Sequence, residues 1–275
     1  MRRSGWCSVN RRAVTACIVT VLSLFGAARA DAHEFWLEAI DYRPKVGDAV
    51  PIVFRNGQNF VGDSFPYVRK LAKRLALRDA RGDRTIKAIE GDDPAADVKL
   101  PVAGLAVVSY QSAPEMVTFE AFERFNENLI EEGLEYIAAE HVRLAKPQTG
   151  IRELFSRSAK ALVDVGGTAA GGDSAIGLPI EIVVTGNPYR ATAGDPLTAT
   201  VLFEGKPLAG VLIKVFHGKD PQSPRRLRTD AEGRVSIPLP LPGEYLLSAV
   251  HMVPARASDK AHWSSLWAST TFSRP

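Results

Sequence analysis

From Glu34 onward the chain alternates with the two-residue period of a strand: Phe35, Leu37 and Ala39 fall on one side, and Glu34, Trp36 and Glu38 on the other. Successive side chains of an extended strand point to opposite faces, so this pattern predicts a sheet. Val50, Ile52 and Phe54 repeat the pattern after a turn at Lys45-Val46-Gly47-Asp48. Further short strands are expected at Lys73–Leu77, Thr85–Ile89 and Leu105–Tyr110, separated by Arg81-Gly82-Asp83, Gly91-Asp92-Asp93-Pro94 and Pro101-Val102-Ala103-Gly104. Five or more strands at this spacing predict an antiparallel sandwich.

The period then changes. Phe119, Phe122, Phe125, Leu129 and Ile130 recur at helical spacing, followed by Leu134, Ile137, Ala138, Val142 and Leu144, with Gly133 between two short helices. Pro147-Gln148-Thr149-Gly150 ends this stretch, and Phe155–Val165 returns to a strand-like pattern in which Ser156, Ser158 and Lys160 alternate. Gly166-Gly167-Thr168-Ala169-Ala170-Gly171-Gly172 reads as a flexible loop or hinge, and it lacks the Lys-Ser/Thr that a phosphate-cradling loop requires. A second all-β pattern follows, with strands at Leu178–Val184, Pro196–Phe203, Val211–Phe216, Arg225–Arg228, Val235–Ile237, Tyr245–His251 and Trp263–Phe272. Leu208-Ala209-Gly210-Val211, Thr229-Asp230-Ala231-Glu232-Gly233-Arg234 and Pro242-Gly243-Glu244-Tyr245 resemble prealbumin-like and Ig-like accessory modules, a likeness that concerns fold and carries no chemistry. The chain is therefore expected to be mainly β, with two Ig-like or prealbumin-like β-sandwich domains at 33–115 and 178–275. A helical and extended connector at 116–177 carries the short helical insertion between them.

Residues 1–32 differ in kind. Arg2, Arg3, Arg11 and Arg12 precede an apolar run from Ala13 to Phe25, and small residues with Ala30 and Ala32 follow, the arrangement of a secretory signal peptide. The run falls short of the roughly 20 residues a spanning helix needs, and nothing later is apolar enough to cross, so the mature chain is expected to have no transmembrane segment and to be periplasmic or secreted. Removing the leader changes the charge. The formal +3 becomes −1 for a cut after Ala32, or −2 after Ala30, because five arginines leave with it. The basic balance thus belongs to the targeting segment and gives no reason to expect a nucleic-acid partner. Cys7 and Cys17 leave too, so the mature chain has no disulfide and must be held together by packing. Val14-Thr15-Ala16-Cys17 sits at the wrong end of the apolar run for a lipoprotein box, and the paired arginines suit a Sec leader better than a twin-arginine one.

Candidate chemistry centres on histidine. As a new amino terminus, His33 would offer an imidazole and an α-amine of pKa about 8, two donors that can chelate one metal ion. His251 is followed by Met252 where a strand ends, and His262 stands across a polar loop just before Trp263; imidazole and thioether donors both suit transition metals. His141, after Glu140 on a helix, reads as a solvated surface residue, and His217 as a turn residue. No His-x-x-x-His, Cys-x-x-Cys or Gly-x-Ser-x-Gly spacing occurs. A site shared by His33 and His251 requires the first strand to lie beside Tyr245–His251 or its outgoing loop, with Phe35 or Trp36 near Trp263.

His33-Glu34-Phe35-Trp36-Leu37-Glu38 after a leader, Tyr42-Arg43-Pro44-Lys45-Val46-Gly47-Asp48, Ser156-Arg157-Ser158-Ala159-Lys160-Ala161-Leu162, Gly177-Leu178-Pro179, Ala249-Val250-His251-Met252 and Trp263-Ser264-Ser265-Leu266-Trp267-Ala268-Ser269 together resemble a family of exported bacterial proteins of unknown function. Its members are often labelled the periplasmic component of nickel/cobalt uptake. The resemblance implies binding of Ni(II), Co(II) or Cu, a membrane metal importer as partner, and His33 and His251 as ligands; His262 lies outside the matching segments. Two other readings stand beside it: a copper-dependent oxidative enzyme with an amino-terminal histidine brace, and an exported two-domain scaffold or adhesion protein without metal.

The amino terminus of the exported protein is checked by intact mass. The mature chain is expected to begin at His33. A mass beginning at Asp31 would replace the two-donor chelate by Asp31-Ala32-His33, whose amine, amides and imidazole suit square-planar Cu(II) or Ni(II). A retained leader would remove both.

Overall fold

Three consecutive stretches of the first hundred residues alternate or run apolar, and each becomes an antiparallel strand in the computed structural model, which describes residues 34–192 and 195–275. The expected signal peptide and His33 lie outside the described residues. β1 (Glu34–Ala39), β2 (Ala49–Gln58) and β3 (Val61–Phe65) form a meander. β4 (Ala72–Asp79) and β5 (Gly82–Thr85) form a hairpin, and β6 (Ala96–Lys99) returns to β2, completing a small N-terminal sheet of β1, β2, β3 and β6. The strand expected at Thr85–Ile89 ends at Thr85.

β7 (Gly104–Ser112) and β8 (Glu115–Ala121) lead into α1 (Phe122–Glu131) and α2 (Glu135–Arg143), after which β9 (Thr149–Val165) runs for 17 residues. Phe119, whose spacing suggested helix, lies in β8 with its ring packed edge-on against Phe125 at 5.3 Å. Gly133 separates the helices as expected. Its φ is +70°, and a Cβ there would meet the Leu212 side chain at 2.7 Å, so both its conformation and its surroundings call for glycine. β10 (Ile180–Val184), β11 (Pro196–Phe203), β12 (Lys206–Pro207), β13 (Leu212–His217), β14 (Arg225–Arg228), β15 (Arg234–Pro238), β16 (Gly243–Pro254) and β17 (Trp263–Arg274) complete the chain.

The expected separation into two sandwich domains with a connector between them gives way to a shared sheet. One nine-stranded sheet runs β14-β13-β16-β17-β9-β7-β4-β5, with β8 also on β9. β9, read from sequence as part of the connector, is an interior strand of it, pairing in parallel with β17 and antiparallel with β7. Parallel neighbours need a long crossover. Here residues 166–262 supply it, and they build the small C-terminal sheet of β10, β11, β12 and β15 on the way.

The layer order is visible at two adjacent residues. Thr270 and Thr271 on β17 point to opposite faces; Thr270 Oγ1 donates to the Ile182 carbonyl of β10 at 3.2 Å, and Thr271 Oγ1 to the Leu37 carbonyl of β1 at 2.6 Å. The C-terminal sheet therefore covers one face of the large sheet and the N-terminal sheet covers the other. The helices share the N-terminal sheet's face: Phe125, Leu129 and Ile137 are buried against Trp263, Trp267, Val250 and Met252. Edge strand β14 secures the helical layer, because Arg226 Nη2 donates to the carbonyls of Ile130 and Glu131 at the end of α1, and Arg228 to that of Gly133 in the turn between the helices.

Each small sheet is also bolted to the large one by a buried lysine. Lys160 of β9 donates to Asp173 at 2.8 Å and Glu181 at 3.3 Å, and Lys214 of β13 to Glu34 at 2.6 Å and Glu132 at 2.7 Å, with all six side chains at most 3% exposed. Removing one partner of such a cluster leaves a buried charge unpaired. Lys160→Met is expected to lower unfolding free energy by about 3–5 kcal/mol in urea titrations, whereas Arg55→Met, whose partner Glu38 is partly exposed, should cost within about 1 kcal/mol.

Candidate functional site

The partner of β9 changes along its length, and a cleft opens where it does. β7 pairs with β9 up to Gln111↔Ser158, and β8 begins at Glu115↔Phe155, so Ser156 and Arg157 lie between the two ladders. Pro114 in the intervening link has no amide hydrogen to give. Ser112 Oγ instead accepts the Arg157 amide at 2.9 Å, and the Ala113 amide turns away to the Leu71 carbonyl at 2.7 Å. Above this notch stand Phe35 of β1, Asn56 of β2 and Phe65 of β3, with Leu71, Tyr110, Ser112, Glu115, Phe155 and Arg157 around and below, enclosing a cavity of about 220 Å³.

Its base is aromatic and rigid. Phe35, Phe54 and Tyr110 pack ring on ring at centroid distances of 4.7 to 5.4 Å. Tyr110 donates its hydroxyl to the Leu71 carbonyl at 3.1 Å, and burial pushes its pKa up to about 12, so it stays a neutral donor. Among the described residues, the one cation lining the cavity is Arg157. Its guanidinium carbon lies 4.7 Å from the Phe155 ring centroid and 5.7 Å from that of Phe35, a cation–π arrangement that fixes the plane of the group. Its polar partners are distant: Nη1 reaches Glu115 Oε1 at 3.4 Å and Nη2 reaches Asn56 Oδ1 at 3.5 Å. Burial pulls the guanidinium pKa below its ordinary value, with Glu115 opposing. A half-buried cation set beside two rings, with donors weakly used, is a recognition element for an oxygen-bearing ligand.

A second buried polar group lies under the helices. Ser265 Oγ donates to Glu153 Oε1 and accepts the Trp267 indole N–H at 3.0 Å, while Glu153 Oε2 has no hydrogen-bond partner. The carboxyl is fully buried, and desolvation lifts its pKa to about 7.

The structure scatters the residues expected to bind metal. His251 is half-buried on the face covered by the C-terminal sheet, its ring 4.7 Å from that of Phe203, and burial lowers its pKa. Met252, its neighbour on the strand, points the opposite way into the cluster beneath the helices, so the two cannot share an ion. His262 Nδ1 accepts the Arg152 amide at 2.9 Å, and burial, aided by Arg152, Lys146 and His141, lowers its pKa. His251 stands opposite Leu266, four positions from His262, which is about 13 Å along the strand. Glu34, the first described residue, is held by Lys214 on the face opposite His251, and Trp36 packs on Phe216 and on Leu246 of the Tyr245–His251 strand, in a cluster separate from that of Trp263. Among the described residues no group of three or more His, Cys, Asp or Glu side chains is placed to hold a metal ion.

His141 departs from expectation most. It is fully buried rather than solvated, accepting the Trp263 indole N–H on Nδ1 and meeting the Pro147 carbonyl with Nε2, both at 2.9 Å, an arrangement that puts its hydrogen on Nε2. His217 occupies its strand-end turn as expected, with Nε2 against the Pro242 carbonyl and Nδ1 accepting the Lys219 amide. Sequence reading passed over Arg157 and Glu115. The signal for Arg157 was a charge on the inward parity of Phe155-x-Arg157-x-Ala159-x-Ala161; Glu115 had none, because only the β7–β8 break brings it to the guanidinium.

Fold and site together define a layered β-sandwich protein with a small aromatic cleft between its sheets. The chain belongs to the family described as a domain of unknown function, DUF4198, whose match spans residues 30–253. A search of curated proteins found no match. Among solved structures, the D0-D1 domain of intimin is similar at 14% identity, covering 87% of this chain and 97% of that one with a TM-score of 0.20. A tetra-tandem repeat from the extending region of a large adhesion protein is similar at 14% identity, covering 88% of this chain and 49% of that one with a TM-score of 0.21. No helix among the described residues is long and apolar enough to cross a membrane.

Because the native Glu153 pKa of about 7 exceeds the unfolded value near 4.3, the folded state binds more protons between them, and stability falls as pH rises through that window. Glu132, raised to about 7 chiefly by burial, acts with the same sign. Glu153→Gln is expected to make the decline in unfolding free energy between about pH 4.5 and 7 shallower in denaturant titrations. An unchanged slope would mean that Glu153 is already ionised throughout.

Proposed function

We propose that this protein is an exported, periplasmic binding protein that holds a small ligand in the cleft between its N-terminal sheet and its large sheet. The observation that carries this reading is Arg157, a half-buried guanidinium over the Phe155 ring and open to a 220 Å³ cavity, with both polar partners at the outer limit of hydrogen bonding. The site is built for holding rather than for reaction. Among the described residues, the one serine hydroxyl lining the cavity, Ser112 Oγ, is engaged by the Arg157 amide, and no histidine lines it to act as a base. Rigid strands from both sheets set the walls, so the cleft is preformed, as ligand sites usually are.

Delivery of nickel, cobalt or copper to a membrane importer, and copper-dependent oxidation at a histidine brace, both place their chemistry on His33, and the placement of His251, Met252 and His262 adds nothing to either. The scaffold or adhesion reading shares this fold and differs in needing no ligand, so one experiment separates it from ours.

Amide-resolved NMR spectra of the mature protein, recorded with a set of small carboxylic acids, amides, amines and sugars, test the reading. Shifts confined to the amides of Phe35, Asn56, Tyr110, Ser112 and Arg157 are the expected result. No response to any compound class, or responses centred elsewhere, would overturn it.

A further inference from the structure

The same cleft carries a more specific inference, which rests on the binding reading above. We propose that its ligand is a small monocarboxylate with an apolar body, the carboxylate meeting the Arg157 guanidinium and the body lying against Phe35, Phe65 and Tyr110. Four observations lead there.

The first is unused bonding capacity. A guanidinium has five N–H donors in a planar fork, and its bonds to carboxylates ordinarily run about 2.7–2.9 Å. Arg157 has two partners in the cleft, at 3.4 and 3.5 Å, on different terminal nitrogens. Its side chain is 19% exposed and its fork opens onto the cavity, so a ligand entering there would take over donors that no close protein acceptor holds. A planar two-oxygen ligand would satisfy the fork; a single hydroxyl or amide oxygen would not.

The second is charge. Among the described residues, the cavity is lined by one cation, Arg157, and one anion, Glu115. A phosphate or other dianion would enter with more negative charge than the site can balance, whereas a monoanion displaces or shares the place that Glu115 holds loosely. The Glu115 side chain is 34% exposed, so it can yield that place by swinging into water.

The third is the lining. Phe35, Phe65, Leu71, Tyr110 and Phe155 give the cavity apolar walls suited to a hydrocarbon or aromatic body. The fourth is size. A volume of about 220 Å³ corresponds to roughly seven waters at about 30 Å³ each, enough for one side-chain-sized group inside the cleft. The carboxylate can come from a free acid or from the carboxyl terminus of a peptide ending in an apolar residue, and the chemistry of the site is the same for both.

Isothermal titration of the mature protein with 3-phenylpropionate and with its neutral amide reads the inference directly. The acid is expected to bind at least tenfold more tightly than the amide. Glu115→Gln, which removes the competing carboxylate, should tighten the acid several-fold and leave the amide unchanged; a merely structural Arg157–Glu115 pair would not produce that split. Arg157→Met should abolish the preference for the acid, and if that variant fails to fold, the Glu115→Gln result decides alone. Gly-Gly-Phe with a free and with an amidated terminus forms the second arm: binding of the free form at the strength of 3-phenylpropionate supports a chain terminus as source, and weaker binding supports a free acid. Equal affinity for acid and amide, with shifts still at the cleft, would overturn the carboxylate inference and leave the binding reading standing. No cleft response from any compound would overturn both.

Discussion

The parallel pairing of β9 with β17, nine consecutive positions from Glu153↔Trp263 to Ala161↔Thr271, is the constraint on which the rest of the molecule depends. It joins the two halves of the chain into one sheet, and every other layer is placed by reference to it. Both faces of these two strands are covered, by the N-terminal sheet and helices on one side and the C-terminal sheet on the other, which suits the buried setting in which parallel strands occur. The inward parity of β9 stays the same while its covering changes along the strand: Ile151, Glu153 and Phe155 meet the helical layer, and Ala159, Ala161 and Val163 meet the N-terminal sheet. Arg157 stands at the junction of the two, and the cleft is the gap between these coverings.

Buried charge is arranged around this sheet with different consequences. Lys160 and Lys214 each face two carboxylates and tie an outer layer to the sheet, and several backbone amides help to satisfy those acids, among them Ile176 and Leu178 on Glu181 and Val184 on Asp173. Such clusters cost desolvation and stabilise little against an apolar substitute, but they tolerate only one alignment of the layers. We take their role here to be register: a slip of β10 or β1 by one residue would turn Glu181 or Glu34 away from its lysine. Among the described residues no cation pairs with Glu153, which is held by the Ser265 hydroxyl, itself the acceptor of the Trp267 indole N–H, so burial raises its pKa instead.

The cleft arises from an irregularity. A continuous β7–β8 strand would pair with all of β9 and seal the notch at Ser156–Arg157; the Ala113–Pro114 link prevents it, and Ser112 covers the exposed amide without closing the space. Breaks of this kind in a sheet commonly re-aim a side chain at a functional site. The membership of the chain in DUF4198 covers the N-terminal sheet, the helices, the cleft and most of the C-terminal half, so the cleft residues lie within the segment that defines the family.

Local pattern was legible in the sequence wherever burial is set by a strand or helix on its own. The alternation of Phe35 and Leu37, the Pro196–Phe203 strand, the helical run around Phe125 and Leu129, and the turn at Gly133 all follow from periodicity and backbone chemistry, and each is present in the fold. What the tertiary structure alone decided is which faces meet. Periodicity could not reveal that β9 pairs with a strand a hundred residues away, that His141 turns inward to a Trp263 indole, or that His251 and Met252 face opposite layers. The physical reason is range: side-chain period reports whether a residue is turned toward something apolar, whereas the identity of its neighbour depends on pairings between distant segments, and the site formed by Arg157, Glu115 and Phe35 exists only through such pairings.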